Sequence, residues 1–220
     1  CQRAFLASGI NLKEKHGRIN SAVIGPAGEN LVRFSCIMND THRAAGRGGV
    51  GAVMGYKKLK AIVAKGNTPI SYFDRDRFNN LSRKGGKTAS INGQAFAKYG
   101  TSLAFGMFAQ KGTMPSYHFR KGVFDDWEKI GAETLKDNYF VRDNGCFKCP
   151  LRCANIHRVE SGPFAVKETE GPEYETMMAF GSLCGINDPR PIIKANHLVN
   201  LLGMDSISAG VVVAFAMDLV

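Results

Sequence analysis

The chain has 220 residues, of which 44% are hydrophobic and 22% are charged. This composition is typical of one large or two small globular domains and excludes a disordered or fibrous chain. The formal net charge of +10 at pH 7 would suit a polyanionic partner. The basic residues are scattered, however, without the interleaved aromatic residues typical of nucleic-acid binding. We therefore favour a solvated basic face, with ligand phosphates as a second contribution, and expect no nucleic-acid partner.

The sequence predicts neither a signal peptide nor a membrane span. It opens on Cys1 without Met, and the longest apolar run, residues 211–220, contains Asp218 and is too short to cross a bilayer. That run also ends without a helix stop signal, which indicates a fragment truncated at both ends. Three of the six cysteines crowd into eight residues. This clustering favours metal ligation in a reducing, cytoplasmic compartment over disulfides.

The first part of the chain mixes glycine turns with short strand-like runs. We predict strands at residues 21–24 and 31–37 and a short buried strand at residues 61–64. The chain from about residue 68 is predicted to be mostly helical, with helices at residues 72–81 and 96–108. The strongest prediction is a helix over residues 188–203, because Asp188 suits the N-cap, Pro189 the first helical position and Gly203 the exit. Another helix should begin near Ser206 or Ser208.

The cysteine cluster has the spacing C-x2-C-x3-C, with thiols at Cys146, Cys149 and Cys153. Soft thiolates on one short loop suit an iron–sulfur cluster, zinc or Cu(I), and buried free thiols are disfavoured at this density. His157 follows four residues after Cys153, so a zinc-stabilised Cys3His binding module is a rival. The spacing alone leaves iron–sulfur and zinc equally open.

Two further segments carry candidate chemistry. Residues 43–55 are rich in glycine, and Arg43 or Arg47 could clamp an anion there, although a tight turn packed on a sheet explains the same pattern. Residues 168–175 contain four glutamates around Gly171 and Pro172. Such a run is usually a solvated face, but a buried carboxylate in a constrained loop could act as a general base.

Five segments, in order along the chain, resemble the aldehyde:ferredoxin oxidoreductases. They are residues 24–30, 43–55, 57–62, 146–153 and 170–175. The resemblance implies an α+β fold: residues 1–67 are part of a β-rich pterin-binding base domain, and residues 68–220 begin a mostly α-helical domain. It also implies tungsten (or molybdenum) between two pyranopterins beside a [4Fe-4S] cluster. The implied reaction oxidises a small aldehyde with water to a carboxylic acid, and the electrons pass to ferredoxin or another electron-transfer subunit.

The resemblance assigns roles to individual residues. Cys146, Cys149 and Cys153 are implied cluster ligands, with the fourth cysteine outside this chain, so we expect that this fragment cannot assemble an active site by itself. Cys36, Cys184 and His157 are not ligands in this reading. Glu175 is the implied catalytic residue beside the metal, a candidate to orient or deprotonate water. The implied pterin-binding residues are Arg43, Ala44, Asn200, Gly203 and Asp205.

Two positions depart from the family pattern. Asn200 replaces the leading Asp of the pterin motif, which puts that contact in doubt because an amide carries no charge. Lys194 replaces the Glu of a Glu-x-x-His site that holds a bridging iron in some homodimeric members, so we expect no bridging metal, and oligomerisation is left open. A family paralogue that acts on another substrate, such as an aromatic acyl thioester, is a further alternative.

Overall fold

The computed structural model describes residues 19–39 and 43–220. A four-stranded antiparallel sheet, in the order β3-β2-β1-β4, organises the first part of the chain. Its strands are β1 (Asn20–Ile24), β2 (Ile37–Asn39), β3 (Arg43–Ala45) and β4 (Ala61–Ala64). Val23 pairs with Met38, and both are buried. Two short helices, α1 (Pro26–Glu29) and α2 (Val50–Tyr56), pack against each other beside β1.

The rest of the chain is helical around a second antiparallel sheet of strands β5 (Phe140–Asn144), β6 (Ala154–Val159) and β7 (Val166–Glu170), in that order. This part contains the helices α3 (Arg75–Asn92), α4 (Gln94–Tyr99), α5 (Leu103–Gln110), α6 (Ala132–Asn138), α8 (Pro189–Leu202) and α9 (Ser206–Asp218). Between β7 and α8, the short helix α7 (Tyr174–Met177) runs into a buried π-helical turn, Met178–Ser182. The main core joins this turn to α5, α8 and α9.

The prediction of a helix over residues 188–203 is confirmed, with its caps. The Asp188 carboxylate accepts from the Arg190 backbone N–H, and Gly203 closes the helix in the left-handed region. The next helix also begins where expected, because the Asp205 carboxylate accepts from the backbone N–H groups of Ile207 and Ser208. Local capping chemistry is therefore sufficient to place both helices.

The strand predicted at residues 31–37 is wrong. Leu31 is left-handed, the Val32 N–H donates to the Ala27 carbonyl, and the Ser35 N–H donates to the Val32 carbonyl, so the chain turns and β2 begins only at Ile37. The strand at 61–64 forms, but it lies at the sheet edge and exposes Ile62 and Val63 instead of being buried. In both segments the neighbouring elements, which the sequence does not reveal, decide the outcome.

The helical part also departs from expectation. The helix predicted at 72–81 begins at Arg75, behind an Asp74 cap, and continues to Asn92. The helix predicted at 96–108 is interrupted at Gly100, whose left-handed backbone separates α4 from α5. The sheet β5–β6–β7 was not predicted. Sheets and helices together nevertheless confirm the α+β fold class. No helix among the described residues combines the length and apolar character needed to cross a membrane.

Candidate metal and cofactor site

The three clustered cysteines lie on the loop that joins β5 to β6, so the antiparallel pairing of these strands fixes both ends of the loop. The Cys149 N–H donates to the Cys146 carbonyl over 3.0 Å, which closes a tight turn. Lys148 and Arg152 adopt left-handed backbone conformations, with φ of 54° and 49°. Cys146 is exposed, whereas Cys149 and Cys153 are half-buried. All three cysteines are therefore at least partly accessible, and Cys146 most of all.

The structure does not bring the three thiols into ligand geometry with one another. Across residues 19–39 and 43–220, no group of three or more His, Cys, Asp or Glu side chains is placed to hold a metal ion. The thiols nevertheless fit a soft metal by their chemistry and accessibility. Burial raises the pKa of Cys153, and so do Glu173 and Cys149, while Arg43 acts in the opposite direction. The ligand assignment of Cys146, Cys149 and Cys153 remains a prediction.

An ion pair ties the first sheet to the second beside this loop. Nη2 of Arg43, on β3, lies 3.0 Å from Oε1 of Glu170, at the end of β7. Glu170 is only 5% exposed, and its other oxygen accepts from Asn144 Nδ2 over 2.5 Å. The Arg43 nitrogen is buried without an aligned hydrogen bond, and its side chain is 40% exposed. Arg43 thus keeps donor capacity for a further anionic ligand.

A second carboxylate lies in the same cluster. Glu173 accepts a short hydrogen bond from the Thr101 hydroxyl. Burial raises the pKa of Glu173, Glu170 raises it further, and Thr101 and Arg43 oppose these effects. Burial likewise raises the pKa of Glu170 against Arg43 and Asn144. Glu170 and Glu173 belong to the acidic run singled out in the sequence, but nothing in that run indicates that Glu170 is buried and paired with an arginine about 130 positions away.

Removing Arg43 should destabilise the protein in a pH-dependent way. The pKa of Glu170 is higher in the folded protein than in the unfolded chain. Ionisation of Glu170 therefore costs stability, and the free energy of unfolding falls as the pH rises from the unfolded pKa through the folded pKa. Arg43 offsets that loss. We expect Arg43→Ala to lower the free energy of unfolding by about 2 kcal/mol at pH 8. This is less than the cost of breaking a fully buried ion pair, because Arg43 is partly exposed. The loss of stability caused by Arg43→Ala should be smaller at pH 5. Urea unfolding of both proteins at the two pH values measures the difference.

A matched variant separates charge from packing. Arg43→Ala combined with Glu170→Gln removes both charges, so most of the lost stability at pH 8 should return. If the double variant remained as unstable as Arg43→Ala, the buried charge would not be the cause.

The predicted pterin residues near the end of α8 lie against the first sheet region. The Gly203 carbonyl accepts from the Cys36 N–H over 2.8 Å, and the Asp205 N–H donates to the Phe34 carbonyl over 2.9 Å. A Cβ on Gly203 would lie 2.8 Å from the Gly25 backbone nitrogen, and Gly203 is left-handed. Gly203 and Asp205 therefore have structural roles at this junction, and Asn200 accepts the Gly203 N–H in the helix cap.

The glycine-rich segment divides into a packed part and an open part. Gly49 and Gly51 approach backbone atoms of Arg33 and Cys36 so closely that a Cβ would clash at 2.2 and 2.6 Å. Gly46 and Gly48 face open space, and Arg47 Nε lies 3.5 Å from Asp205 Oδ2. The tight-turn interpretation therefore holds for Gly49 and Gly51. Gly46 and Gly48 flank Arg47, which pairs with Asp205.

The other residues singled out in the sequence lie elsewhere in the fold. Ala44 pairs with Met38 in the first sheet. Glu175 is exposed in α7, unlike the buried Glu170 and the half-buried Glu173. His157 is 2% exposed, its Nδ1 lies 2.7 Å from the Gly171 carbonyl, and burial lowers its pKa to about 4. Lys194 donates to the Ala165 carbonyl over 3.0 Å. The structure thus places Arg43 near the cysteine loop and Asp205 beside Arg47.

Comparison with known proteins shows the family of the chain. Residues 79–220 match the model for aldehyde ferredoxin oxidoreductase, domains 2 and 3, and residues 6–66 match the model for its N-terminal domain. The chain is 43% identical over 213 residues to a tungsten-containing aldehyde ferredoxin oxidoreductase of Pyrococcus abyssi, covering 94% of this chain and 34% of that protein. The corresponding Pyrococcus furiosus protein is 43% identical over 205 residues, covering 92% and 33%. The chain spans about a third of these relatives.

Two further proteins match at lower identity. A P. furiosus aliphatic sulfonate oxidoreductase, WOR-like subunit, is 32% identical over 199 residues, covering 89% of this chain and 32% of that protein. The solved active-site complex BamBC of benzoyl coenzyme A reductase, with 1,5-dienoyl-CoA, has a TM-score of 0.74 at 21% identity. It covers 97% of this chain and 34% of its own, and at this identity the likeness concerns the fold alone.

Proposed function

Because the chain belongs to the aldehyde ferredoxin oxidoreductase family, we propose that it forms part of an enzyme that oxidises an aldehyde with water to a carboxylic acid. Electrons leave through a [4Fe-4S] cluster to ferredoxin. The observation that carries this proposal is the proximity of Arg43, on the pterin-contact segment, to the cysteine loop through Glu170, Glu173 and Cys153. One junction thus holds the residues expected to contact both cofactors.

The residues divide by cofactor. Cys146, Cys149 and Cys153 would hold three irons of the cluster, and a thiolate from outside this chain would complete it. Arg43, Ala44, Asn200, Gly203 and Asp205 would contact the pterins. When bound, tungsten (or molybdenum) supplies two-electron redox chemistry and the cluster accepts electrons singly. Arg43 offers a partly exposed guanidinium to an anionic group of the pterin, and its ion pair with Glu170 fixes its orientation.

Glu175 is proposed to act on the water. Its carboxylate is exposed at the first turn of α7, where it is free to accept a proton from water or to orient it. General acid–base assistance of this kind contributes about 10²–10⁴-fold to a rate. The half-buried Glu173 is held by Thr101 and is therefore assigned to structure.

The alternatives have weaker support. A reaction on an aromatic acyl thioester agrees with the benzoyl coenzyme A reductase complex, but that likeness is at 21% identity, against 43% for the aldehyde enzymes. A Cys3His zinc module needs His157, whose ring is buried beside the Gly171 carbonyl. We favour the aldehyde reaction over both.

Metal analysis of the full-length protein, purified without oxygen, tests the proposal. We expect about four iron atoms and acid-labile sulfide per chain, as for one [4Fe-4S] cluster, and a brown absorbance. His157→Ala should leave the iron content unchanged while lowering stability, because it removes a buried ring. Stoichiometric zinc without sulfide, released by His157→Ala, would replace the proposal with the zinc module.

A further inference from the structure

A single 3₁₀ turn, Gly100–Ser102, separates α4 from α5 and packs against the cysteine loop. Gly100 and Ser102 are both buried. Gly100 is left-handed, and a Cβ at this position would lie 2.7 Å from the carbonyl oxygen of Cys153. Any side chain there would therefore push the turn away from the loop. The turn thus lies directly against the backbone of a predicted cluster ligand.

The same turn holds the segment that leads into α7. The Ser102 hydroxyl donates to the Pro172 carbonyl over 3.2 Å. The Thr101 hydroxyl donates to the Glu173 carboxylate. It also accepts from the Tyr174 backbone N–H over 3.1 Å. One side chain therefore uses both its donor and its acceptor on two adjacent residues of this segment.

Thr101 supplies a cap that α7 lacks locally. Glu173 occupies the N-cap position, but its side chain makes no capping hydrogen bond. The N–H of Tyr174, the first residue of α7, cannot be satisfied within the helix and is bonded by Thr101 instead. Because α7 has only four residues, one bond at its first turn is a large share of what fixes its start. Glu175 follows directly, so its backbone position depends on this bond.

We propose that Thr101 is a positioning residue for Glu175. The proposal rests on the proposed function, in which Glu175 acts on the water. Thr101 holds the first turn of α7, and its neighbour Gly100 packs on the Cys153 carbonyl. The proposed proton acceptor is thereby held at a fixed place relative to the cysteine loop. Such placement matters, because a displacement of about 1 Å in an active site can cost about 100-fold in rate.

The test uses the full-length, cluster-loaded protein and measures steady-state rates with aldehyde and a dye acceptor. Thr101→Val removes the hydroxyl at nearly constant volume. It should lower kcat about tenfold and change the KM for aldehyde less than about twofold, because it displaces Glu175 without removing it. Thr101→Ser keeps the hydroxyl and should stay within about twofold of the unaltered kcat.

Thr134→Val is the matched control for this substitution. The Thr134 hydroxyl, in α6, donates to the Glu128 carbonyl over 2.6 Å. Thr134→Val therefore also replaces a hydrogen-bonded threonine by valine, but it leaves the contacts of α7 in place. It should change kcat less than about twofold.

Combination with Glu175→Gln decides whether Thr101 acts through Glu175. If it does, the double variant should be no slower than Glu175→Gln alone, because misplacing a proton acceptor costs nothing once the acceptor is gone. A purely structural role of Thr101 would instead multiply the two losses. Thr101→Ala removes the same hydroxyl with less bulk and takes the place of Thr101→Val if valine prevents folding.

Hydrogen exchange gives a readout that does not depend on turnover. The Tyr174 N–H should exchange about tenfold faster in Thr101→Val than in Thr101→Ser or the unaltered protein, because only the valine variant lacks the acceptor. Mass spectrometry of a peptide that covers residues 170–178 measures the rate. Equal exchange in all three proteins would overturn the proposal.

The kinetic outcomes separate this proposal from the proposed function. Losses that multiply in the double variant would overturn the positioning role and leave the proposed function intact. An unchanged kcat in Thr101→Val, with normal acid-labile sulfide, would do the same. Full activity of Glu175→Gln would overturn the role of Glu175 and this proposal with it, and absence of sulfide from the unaltered protein would overturn the redox assignment beneath both. A loss that serine rescues and that disappears in the double variant supports positioning by Thr101.

Discussion

Cys149→Ser in the full-length protein should remove the iron–sulfur cluster. A neutral hydroxyl is a poor ligand for iron compared with a thiolate, and Cys149 lies at the centre of the loop, where its N–H closes the turn with Cys146. We expect at least a tenfold fall in acid-labile sulfide and in the brown absorbance, with electron transfer to ferredoxin lost in proportion. Anaerobic purification followed by iron and sulfide analysis measures the effect.

Cys184→Ala is the matched control for this prediction. Cys184 is buried, its thiol lies 3.4 Å from the Ala179 carbonyl, and burial raises its pKa to about 11. It is therefore an inert core thiol. The substitution should cost about 1 kcal/mol of stability through the cavity that it leaves and should keep the cluster. If both variants retained full sulfide, the loop cysteines would not be ligands.

Glu175→Gln should lower kcat for aldehyde oxidation about 100-fold, at the lower end of the range for general acid–base groups. The amide matches the carboxylate in shape but cannot accept the proton of water at neutral pH. Because Glu175 is exposed on a short helix, the fold and the cluster content should remain as in the unaltered protein. Steady-state rates with aldehyde and a dye acceptor, alongside sulfide analysis, give the comparison.

Substitutions of two other glutamates serve as controls for the Glu175→Gln variant. Glu160→Gln changes an exposed carboxylate just after β6 and should alter kcat less than twofold. Glu173→Gln disturbs the bond from Thr101 and should lower stability. Should Glu173→Gln, with its cluster intact, abolish turnover while Glu175→Gln remained active, the proton-accepting role would pass to Glu173, whose raised pKa suits a general base.

The predicted elements that survived are those governed by neighbouring residues. Asp188, Pro189 and Gly203 define α8 because capping is satisfied within a few residues of the helix end. The predictions that were wrong concern segments whose conformation depends on contacts with distant parts of the chain. Residues 31–37 alternate as a strand would, yet the backbone around Ser35 and Cys36 is held by Gly203 and Gly51 from other segments. The strands β5, β6 and β7 are stabilised by pairing with one another, which no local pattern records.

The sequence by itself determined the α+β class, the cysteine loop and, through ordered motifs, the family. Those features are written in the types and spacing of nearby residues. Only the tertiary structure decided that Arg43 pairs with Glu170, that Gly203 packs on Gly25, and that Glu175 is exposed. Burial and ion pairing depend on which distant segments share a core, and the free energy of those contacts is set only when both sheets have assembled.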